Sequence, residues 1–319
     1  MYLSLAPMEG ITGHVFRRVH AECFGALDCY YTPFLPPPRV GNRFGGKAFK
    51  EVDPANNQGL NVVPQLMSKN ADEFVWAAQV LADMGYREVN LNLGCPSGTV
   101  VAKGKGSGFL AFPEELDAFL AEIFAGAQGP VSIKTRLGIR DPEEFWPILE
   151  CYNRYPVYEL TVHLRVQKDM YRHPVRGEYL APILAQSRNP VCYNGDLIRP
   201  GDLSALTNSF PGLEAVMIGR GLMADPALIS VLQGGKPLER ATLRAFHDAL
   251  YEAYAQAFDS RRNAMLRMKE LWFYLIHRFE GAERYGKQLR KASDPRDFEA
   301  AVERIFTELP LRPETVPGW

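Results

Sequence analysis

The chain has 319 residues, of which 46% are hydrophobic and 23% are charged, a composition typical of folded globular proteins. This balance excludes a disordered tail and a fibre. Lys and Arg number 36 against 37 Asp and Glu, so the net charge is −1. That value argues against a uniformly basic nucleic-acid-binding protein but leaves room for a local basic surface.

Five cysteines are an odd and low number for a chain of this length, so we expect no disulfide framework. No window approaches the roughly 18 uninterrupted apolar residues of a membrane span. The opening segment MYLSLAPMEG lacks the basic start and long apolar run of a signal peptide. We therefore predict a cytoplasmic protein with no membrane association.

A short β-prone run, a turn and a longer helical stretch alternate along the first part of the chain. The eight β-prone runs are residues 2–6, 29–34, 61–66, 88–93, 131–135, 158–163, 191–194 and 215–218. Several intervening segments begin at Asp or carry Pro in their first turn, as helices commonly do. Eight alternations predict an α/β fold in which residues 1–238 form a (β/α)8 TIM barrel.

After about Leu238 the strand pattern stops, and three amphipathic helices are predicted at residues 241–258, 264–279 and 295–309. We expect residues 239–319 to form a small all-helical domain. Between Arg261 and Lys291, nine basic residues stand against three acidic ones. Such a surplus is typical of a surface that contacts a phosphate backbone.

Polar residues follow most of the predicted strands, at the end of a parallel barrel where active sites lie. The residues at these positions are mostly polar, and with their neighbours they are Pro7, Met8, Glu9, Gln65, Asn92, Cys95, Lys134, His163, Asn194, Asp196 and Arg220. Each buried polar group must find a partner or cost about 1–3 kcal/mol. Stability alone gives no reason to collect such residues, so we predict a functional site at this rim.

Two glycine-containing turns, Asn194-Gly195-Asp196 and Gly219-Arg220-Gly221, follow the last two predicted strands. Many barrels bind a phosphate at this place through backbone N–H groups. The alternative is that the glycines only permit tight turns. No GxGxxG motif opens a strand–helix unit, so we favour a mononucleotide-type cofactor over a dinucleotide.

Lys134 ends the fifth predicted strand within SIKTRLG, where an inward-facing ammonium needs an anion or an electron-rich ring. Flavin N1 and O2, which become negative on reduction, are such a partner. The alternative is a lysine that extends from the strand end to solvent. His163 follows the sixth strand, and a single histidine there is more often structural than a ligand.

Cys95 lies in a tight Gly-Cys-Pro turn after the fourth predicted strand, which can project its thiol into the barrel mouth. The thiol could act as a nucleophile or as a proton donor. Nothing in the sequence indicates a Cys-His-Asp arrangement that would lower its pKa, so we favour the donor. The remaining cysteines are expected in the core: Cys23, Cys29, Cys151 and Cys192.

The motifs LAPMEGIT, VPQL, NLGCPS, GKGSG, SIKTRLG, VH, NGD and MIGRG occur in this order between residues 1 and 225. Their ordered combination resembles the dihydrouridine synthase family. The resemblance implies a barrel that binds FMN, reduces the C5–C6 double bond of uridines in folded RNA, and uses NADPH to reload the flavin. It also implies a C-terminal RNA-binding domain, with transfer RNA favoured as substrate, ribosomal RNA as an alternative, and no obligate protein partner.

The resemblance further assigns roles to individual residues. It places the flavin against Pro7, Met8, Glu9, Gln65, Lys134, His163, Asn194, Gly195, Asp196, Gly219 and Arg220, the last five at the ribityl phosphate. Cys95 matches the proton donor to C5, and Asn92 matches the contact to the target base. Within the basic region we expect Arg267 and Lys269 to contact RNA, with a solvated helix face as the alternative.

Some positions depart from the family pattern, including Gly13 in place of Asp and Gly98-Thr99 in place of a Lys-containing pair. The stretch Thr32-Pro33-Phe34 lacks a common Glu, and residues 163–166 replace HGRT. These loops would face RNA, so the target nucleotide is open. Two other functions stay open as well: a flavin reductase of a free pyrimidine or small enone, and an RNA-binding protein that keeps the barrel as a scaffold.

Overall fold

The computed structural model describes residues 1–319. Nine strands form one sheet: β1 (Tyr2–Leu5), β2 (Cys29–Tyr31), β3 (Val62–Val63), β4 (Gln65–Leu66), β5 (Val89–Leu93), β6 (Val131–Arg136), β7 (Leu160–His163), β8 (Val191–Asn194) and β9 (Ala215–Ile218). Their order across the sheet is β3-β2-β1-β9-β8-β7-β6-β5-β4. The strand pairs with a defined register are parallel.

Strands β3 and β4 are two parts of one predicted strand, interrupted at Pro64, which has no N–H to donate to a ladder. β3 pairs with β2 and β4 pairs with β5. The two ends of the sheet are therefore consecutive in sequence, and the sheet curls into a nearly closed barrel. This confirms the predicted TIM-barrel class and its eight strand positions.

Fourteen α-helices accompany the strands: α1 (His14–Phe24), α2 (Gly46–Val52), α3 (Ala71–Asp83), α4 (Gly98–Val101), α5 (Pro113–Gly126), α6 (Phe145–Tyr152), α7 (Leu180–Gln186), α8 (Pro200–Ser209), α9 (Arg220–Ala224), α10 (Leu228–Leu232), α11 (Arg240–Phe258), α12 (Arg261–Leu275), α13 (Glu283–Lys291) and α14 (Pro295–Glu308). Their starts follow the expected chemistry. Asn70 caps α3 by accepting a hydrogen bond from the Glu73 N–H, and Asp294 caps α14 before Pro295.

The C-terminal helices differ in part from the prediction. The helix expected at residues 264–279 begins at Arg261, because Ser260 caps it, and ends at Leu275. Helix α13 was missed, because its nine residues are mostly charged or polar, include a glycine, and bury only Gly286 and Leu289. None of the fourteen helices combines the length and apolar character that crossing a membrane requires.

The chain packs into two compact units. The first comprises residues 1–7, 28–195 and 210–217, and it contains the strands apart from the last residue of β9. The second comprises residues 8–27, 196–209 and 218–319, and it contains α1 and α8 to α14. The boundary at residue 238, between barrel and helical domain, stays a prediction.

In the first unit the barrel interior is apolar on one side and polar on the other. The apolar cluster consists of Ala6, Cys29, Tyr31, Val63, Cys192, Ala215 and Met217. The polar side contains Gln65, Asn90, Asn92, Ser132 and Thr161, all buried. Buried polar groups require hydrogen-bond partners, so this side must be organised by specific contacts.

Three of the four cysteines assigned to the core are buried there: Cys29, Cys151 and Cys192. The same prediction was wrong for Cys23, which is exposed. It lies in the last turn of α1, beyond the stretch from Phe16 to His20 that carries the buried face of that helix. Apolar neighbours in the sequence therefore did not correctly predict that this thiol would be buried.

In the second unit, the helical core forms around aromatic side chains. Trp272 is 2% exposed, and its ring lies 5.5 Å from that of His247 and 6.0 Å from that of Phe306. Phe273, the next residue, is 50% exposed. Trp272 therefore packs the helices together.

Candidate active site

The predicted site residues divide between the two units. The first unit contains Pro7, Gln65, Asn92, Cys95, Lys134, His163, Asn194 and Gly195. The second contains Met8, Glu9, Asp196, Gly219, Arg220, Arg267 and Lys269.

In the first unit, strand register brings Lys134 next to the other polar residues. Asn92 pairs with Lys134 across β5 and β6, and His163 pairs with Asn194 across β7 and β8. Lys134 Nζ donates to Asn194 Oδ1 at 2.8 Å, while Asn194 Nδ2 donates to the Met217 carbonyl at 2.8 Å. Asn194 therefore holds the lysine in place from two strands away.

The charge of Lys134 is only weakly compensated. Burial lowers the pKa of its ammonium group to about 7, and the positive charge of Arg136 adds to this effect. Its hydrogen-bond partner, Asn194, is a neutral amide and not a carboxylate. An anionic ligand beside Lys134 would raise that pKa again, so the site has the electrostatics of an anion receptor.

The turn that carries Cys95 is held from both sides. Asn92 Oδ1 accepts hydrogen bonds from the Gly94 N–H at 3.1 Å and the Cys95 N–H at 3.0 Å. The Cys95 carbonyl accepts from Ser107, through its N–H at 3.1 Å and its hydroxyl at 2.9 Å. Gly106 has a φ of +56°, and a Cβ there would lie 2.8 Å from that carbonyl. The half-buried Cys95 side chain thus sits on a fixed backbone.

Sequence reasoning missed a group of side chains around His163. His163 is buried, with Nε2 2.9 Å from Arg165 Nη1 and its ring stacked 6.0 Å from that of Tyr171. The Arg136 guanidinium lies 5.1 Å from the same tyrosine ring, and its Nε donates to the Gly94 carbonyl at 2.8 Å. Alternation along β6, which puts positions 134 and 136 on one face, could have found Arg136.

In the second unit, Arg220 begins α9 and is already paired. Its guanidinium forms an ion pair with Asp196 and lies 5.8 Å from the ring of Trp319. Gly221 is required at its position, because a Cβ there would lie 2.1 Å from the Leu197 carbonyl oxygen. The glycine in this turn therefore has a packing role, and phosphate binding by Gly219 and Arg220 stays a prediction.

The remaining predicted residues of the second unit lie within α12 or in the loop before α1. Glu9 is exposed, and the Met8 N–H donates to Thr12 Oγ1 at 2.8 Å. Arg267 donates from Nη1 to the Gly10 carbonyl, and Lys269 donates from Nζ to the Ala292 carbonyl at 2.9 Å. These acceptors are neutral and leave further N–H donors on both cations, so both positive charges stay available to an anion.

Together, the parallel barrel and the polar residues at its strand ends define a barrel enzyme. Residues 4–309 match the model of the family described as dihydrouridine synthase (Dus). A probable tRNA-dihydrouridine synthase of Staphylococcus epidermidis is 30% identical over 260 residues, which cover 79% of this chain and 78% of the relative. A probable tRNA-dihydrouridine synthase 2 of Bacillus subtilis is 28% identical over 233 residues, or 70% of each chain.

Solved structures share the barrel at low identity. A variant of NCR from Zymomonas mobilis has a TM-score of 0.51 at 13% identity, covering 76% of this chain and 90% of that one. A 2-naphthoyl-CoA reductase complex has a TM-score of 0.53 at 12% identity, covering 73% and 50%. The fold is therefore shared with these proteins. By its sequence, this chain belongs to the dihydrouridine synthase family, and it is a flavin-dependent oxidoreductase.

Proposed function

We propose that this protein reduces the C5–C6 double bond of specific uridines in transfer RNA, with FMN as its flavin and NADPH as the reductant, in the cytoplasm. The observation that best supports this is the register of β5 and β6. It puts Lys134 beside Asn92, whose amide oxygen holds the turn of Cys95. A cation suited to a reduced flavin thus lies on the strand next to the one whose following turn carries the proposed proton donor.

The residues of the first unit have the chemistry that a flavin requires. Lys134 offers a positive charge whose nearest partner is neutral, and Gln65 offers an amide hydrogen beyond the one it donates to Asn90. When bound, FMN would supply the hydride that reaches uracil C6. Pro7, His163, Asn194 and Gly195 of the same unit would add further contacts to it.

The protein's own contribution to the reaction is positioning and a proton. Cys95 would deliver its thiol proton to C5 of the base and recover a proton from solvent. Asn92 has committed its oxygen to the Gly94 and Cys95 N–H groups and one amide hydrogen to Gln65 Oε1, so its second amide hydrogen is the donor left to contact the base. Uracil accepts hydrogen bonds at its carbonyl oxygens, so a donor at this position matches it.

RNA binding is assigned to residues 239–319, with Arg267 and Lys269 as contacts. A uridine in a folded loop must leave its stack to reach a barrel interior, at a cost of a few kcal/mol. Phosphate contacts offset that cost, and α12 supplies two part-buried cations on neutral acceptors.

The double variant Arg267→Gln, Lys269→Gln should weaken tRNA binding about tenfold or more near physiological salt. Glutamine keeps an N–H donor and removes the charge, so the loss reports mainly the charge. When the logarithm of the binding constant is plotted against the logarithm of the salt concentration between 50 and 200 mM, the slope for the double variant should be smaller in magnitude than the wild-type slope by about two. Arg244→Gln is the control, because Arg244 already pairs with Asp248 and Glu303. An unchanged affinity and slope in the double variant would remove α12 from the RNA surface.

Mass-spectrometric mapping of dihydrouridine in total RNA, from cells with and without this gene, tests the function as a whole. We expect dihydrouridine to disappear from one or a few tRNA positions and to return with the wild-type gene. Loss of dihydrouridine from ribosomal RNA would identify ribosomal RNA as the substrate. No loss, combined with turnover of free pyrimidines, would identify a small-molecule reductase. RNA binding without any reduced base would identify a scaffold protein.

A further inference from the structure

Three buried amide side chains form a hydrogen-bonded row inside the barrel of the first unit. Asn92 Nδ2 donates to Gln65 Oε1 at 2.7 Å, and Gln65 Nε2 donates to Asn90 Oδ1 at 2.8 Å. All three side chains are at most 6% exposed. The row begins at the Cys95 turn, since Asn92 Oδ1 accepts from the Cys95 N–H.

The row continues toward the amino ends of the strands and stops at a carboxyl group. Asn90 Nδ2 donates to Ser132 Oγ at 2.8 Å, and the Ser132 hydroxyl donates to Glu88 Oε1. Glu88 lines a cavity of about 1180 Å³ at that end of the barrel, together with Glu159 and Tyr2. Burial, together with the charge of Glu159, raises the pKa of Glu88 to about 7.

The direction of every bond in this row follows from its first member. A backbone N–H can only donate, so the atom of Asn92 that faces the Cys95 turn must be oxygen, and its nitrogen must face Gln65. Gln65 therefore donates from its nitrogen to the oxygen of Asn90, and Asn90 donates from its nitrogen to Ser132 Oγ. The single hydroxyl hydrogen of Ser132 is then left to donate to the last member of the row. The last member must therefore be an acceptor, which a carboxylate supplies.

We propose that Glu88 is a positioning residue for the reaction: as the terminal acceptor of this row, it holds the Asn92 amide with its oxygen on the Cys95 turn and one hydrogen on Gln65, which leaves the second hydrogen for the base. The proposal rests on the proposed function of Cys95 and Asn92. Networks of this kind, once fully satisfied, fix one arrangement, and loss of one end leaves buried donors without partners. Glu88 thus acts on the site through four side chains and not by contact.

The substitution series follows from the required acceptor. Glu88→Gln keeps an oxygen that can accept from Ser132, so its kcat for tRNA should stay within about twofold of wild type. Glu88→Leu removes the acceptor and should lower kcat about tenfold with little change in KM. Ser132→Ala, which breaks the row one step earlier, should behave like Glu88→Leu.

Glu159→Leu is the matched control. Glu159 lines the same cavity and precedes the neighbouring strand β7, but it accepts from Tyr31 and Thr161 and lies outside the row. We expect its kcat to stay within about twofold of wild type. Equal losses in Glu88→Leu and Glu159→Leu would mean that the cavity acts only through stability, and would overturn the proposal.

A second measurement does not depend on RNA reduction. The rate of Cys95 alkylation by iodoacetamide, followed by peptide mass spectrometry on the flavin-containing protein, reports how firmly its turn is held. Glu88→Leu and Ser132→Ala should change this rate severalfold, and Glu88→Gln should not. If the wild type reduces no uridine but the variants differ in Cys95 alkylation rate as expected, the proposed function alone is refuted. If the wild type reduces uridine and Cys95 is alkylated at the same rate in every variant, the proposed role of Glu88 is refuted.

Discussion

Cys95→Ala should keep its bound flavin and lose at least a hundredfold in the rate of uridine reduction. A positioned acid typically contributes about 10²- to 10⁴-fold, and no other thiol is placed to substitute, because Cys29, Cys151 and Cys192 are buried and Cys23 lies on helix α1. Flavin content follows from the visible absorbance of the purified protein. The rate follows from dihydrouridine formed in single-turnover reactions with flavin that has been reduced beforehand.

Two further variants make this prediction specific for an acid. Cys95→Ser should be nearly as slow as alanine, since a hydroxyl is a far weaker acid than a thiol. Cys23→Ala removes the exposed thiol of α1 and should react at the wild-type rate. Full activity in Cys95→Ala would show that the proton comes from another group or from water.

Lys134→Met should weaken flavin binding by about tenfold to a hundredfold, because it removes the cation that would face the electron-rich edge of the ring. The effect should be larger for reduced than for oxidised flavin, so the reduction potential of any remaining bound flavin should fall. Titration of apoprotein with FMN gives the affinity, and Lys50→Met, at an exposed position of α2, is the control. Equal affinity in wild type and Lys134→Met would exclude the lysine from the flavin site.

The same substitution should not destabilise the apoprotein at acid pH. In the unfolded chain the lysine has its ordinary pKa of 10.5, and in the fold burial lowers it to about 7. Stability therefore falls as the pH drops from 10.5 to 7, and the whole penalty applies below 7. Methionine carries no such penalty, although Asn194 loses a hydrogen bond. At pH 6 the Tm of the variant apoprotein should equal or exceed that of wild type, and a clear decrease would contradict a destabilised cation.

The strands were predictable because their signal is local. An apolar run bounded by turn residues marks a buried parallel strand wherever it occurs, and the order of eight such runs leaves few topologies. Cys95, Lys134 and Asn194 were found for the same reason, since each follows or ends such a run. Helix α13 was missed because it is short and polar and offers only Gly286 and Leu289 as buried positions.

Contacts between strands could not be predicted from the sequence. The alternation along β5 puts Asn90 and Asn92 on one face, but a strand can slide against its neighbour and the amides would then meet other partners. Only the register of β4, β5 and β6 brings Gln65 and Ser132 to these amides. The row that ends at Glu88 is therefore a product of pairing at long sequence distance.

The sequence by itself determined the fold class, the family and the residue types at the strand ends, because these depend on local patterns and on ordered motifs. Only the tertiary structure decided which donors meet which acceptors. It placed Lys134 on a neutral amide, bound Arg220 to Asp196, exposed Cys23, and linked Glu88 to the Cys95 turn. The reason is physical: a hydrogen bond requires atoms to meet within about 3 Å, and strand register sets such distances between residues far apart in sequence.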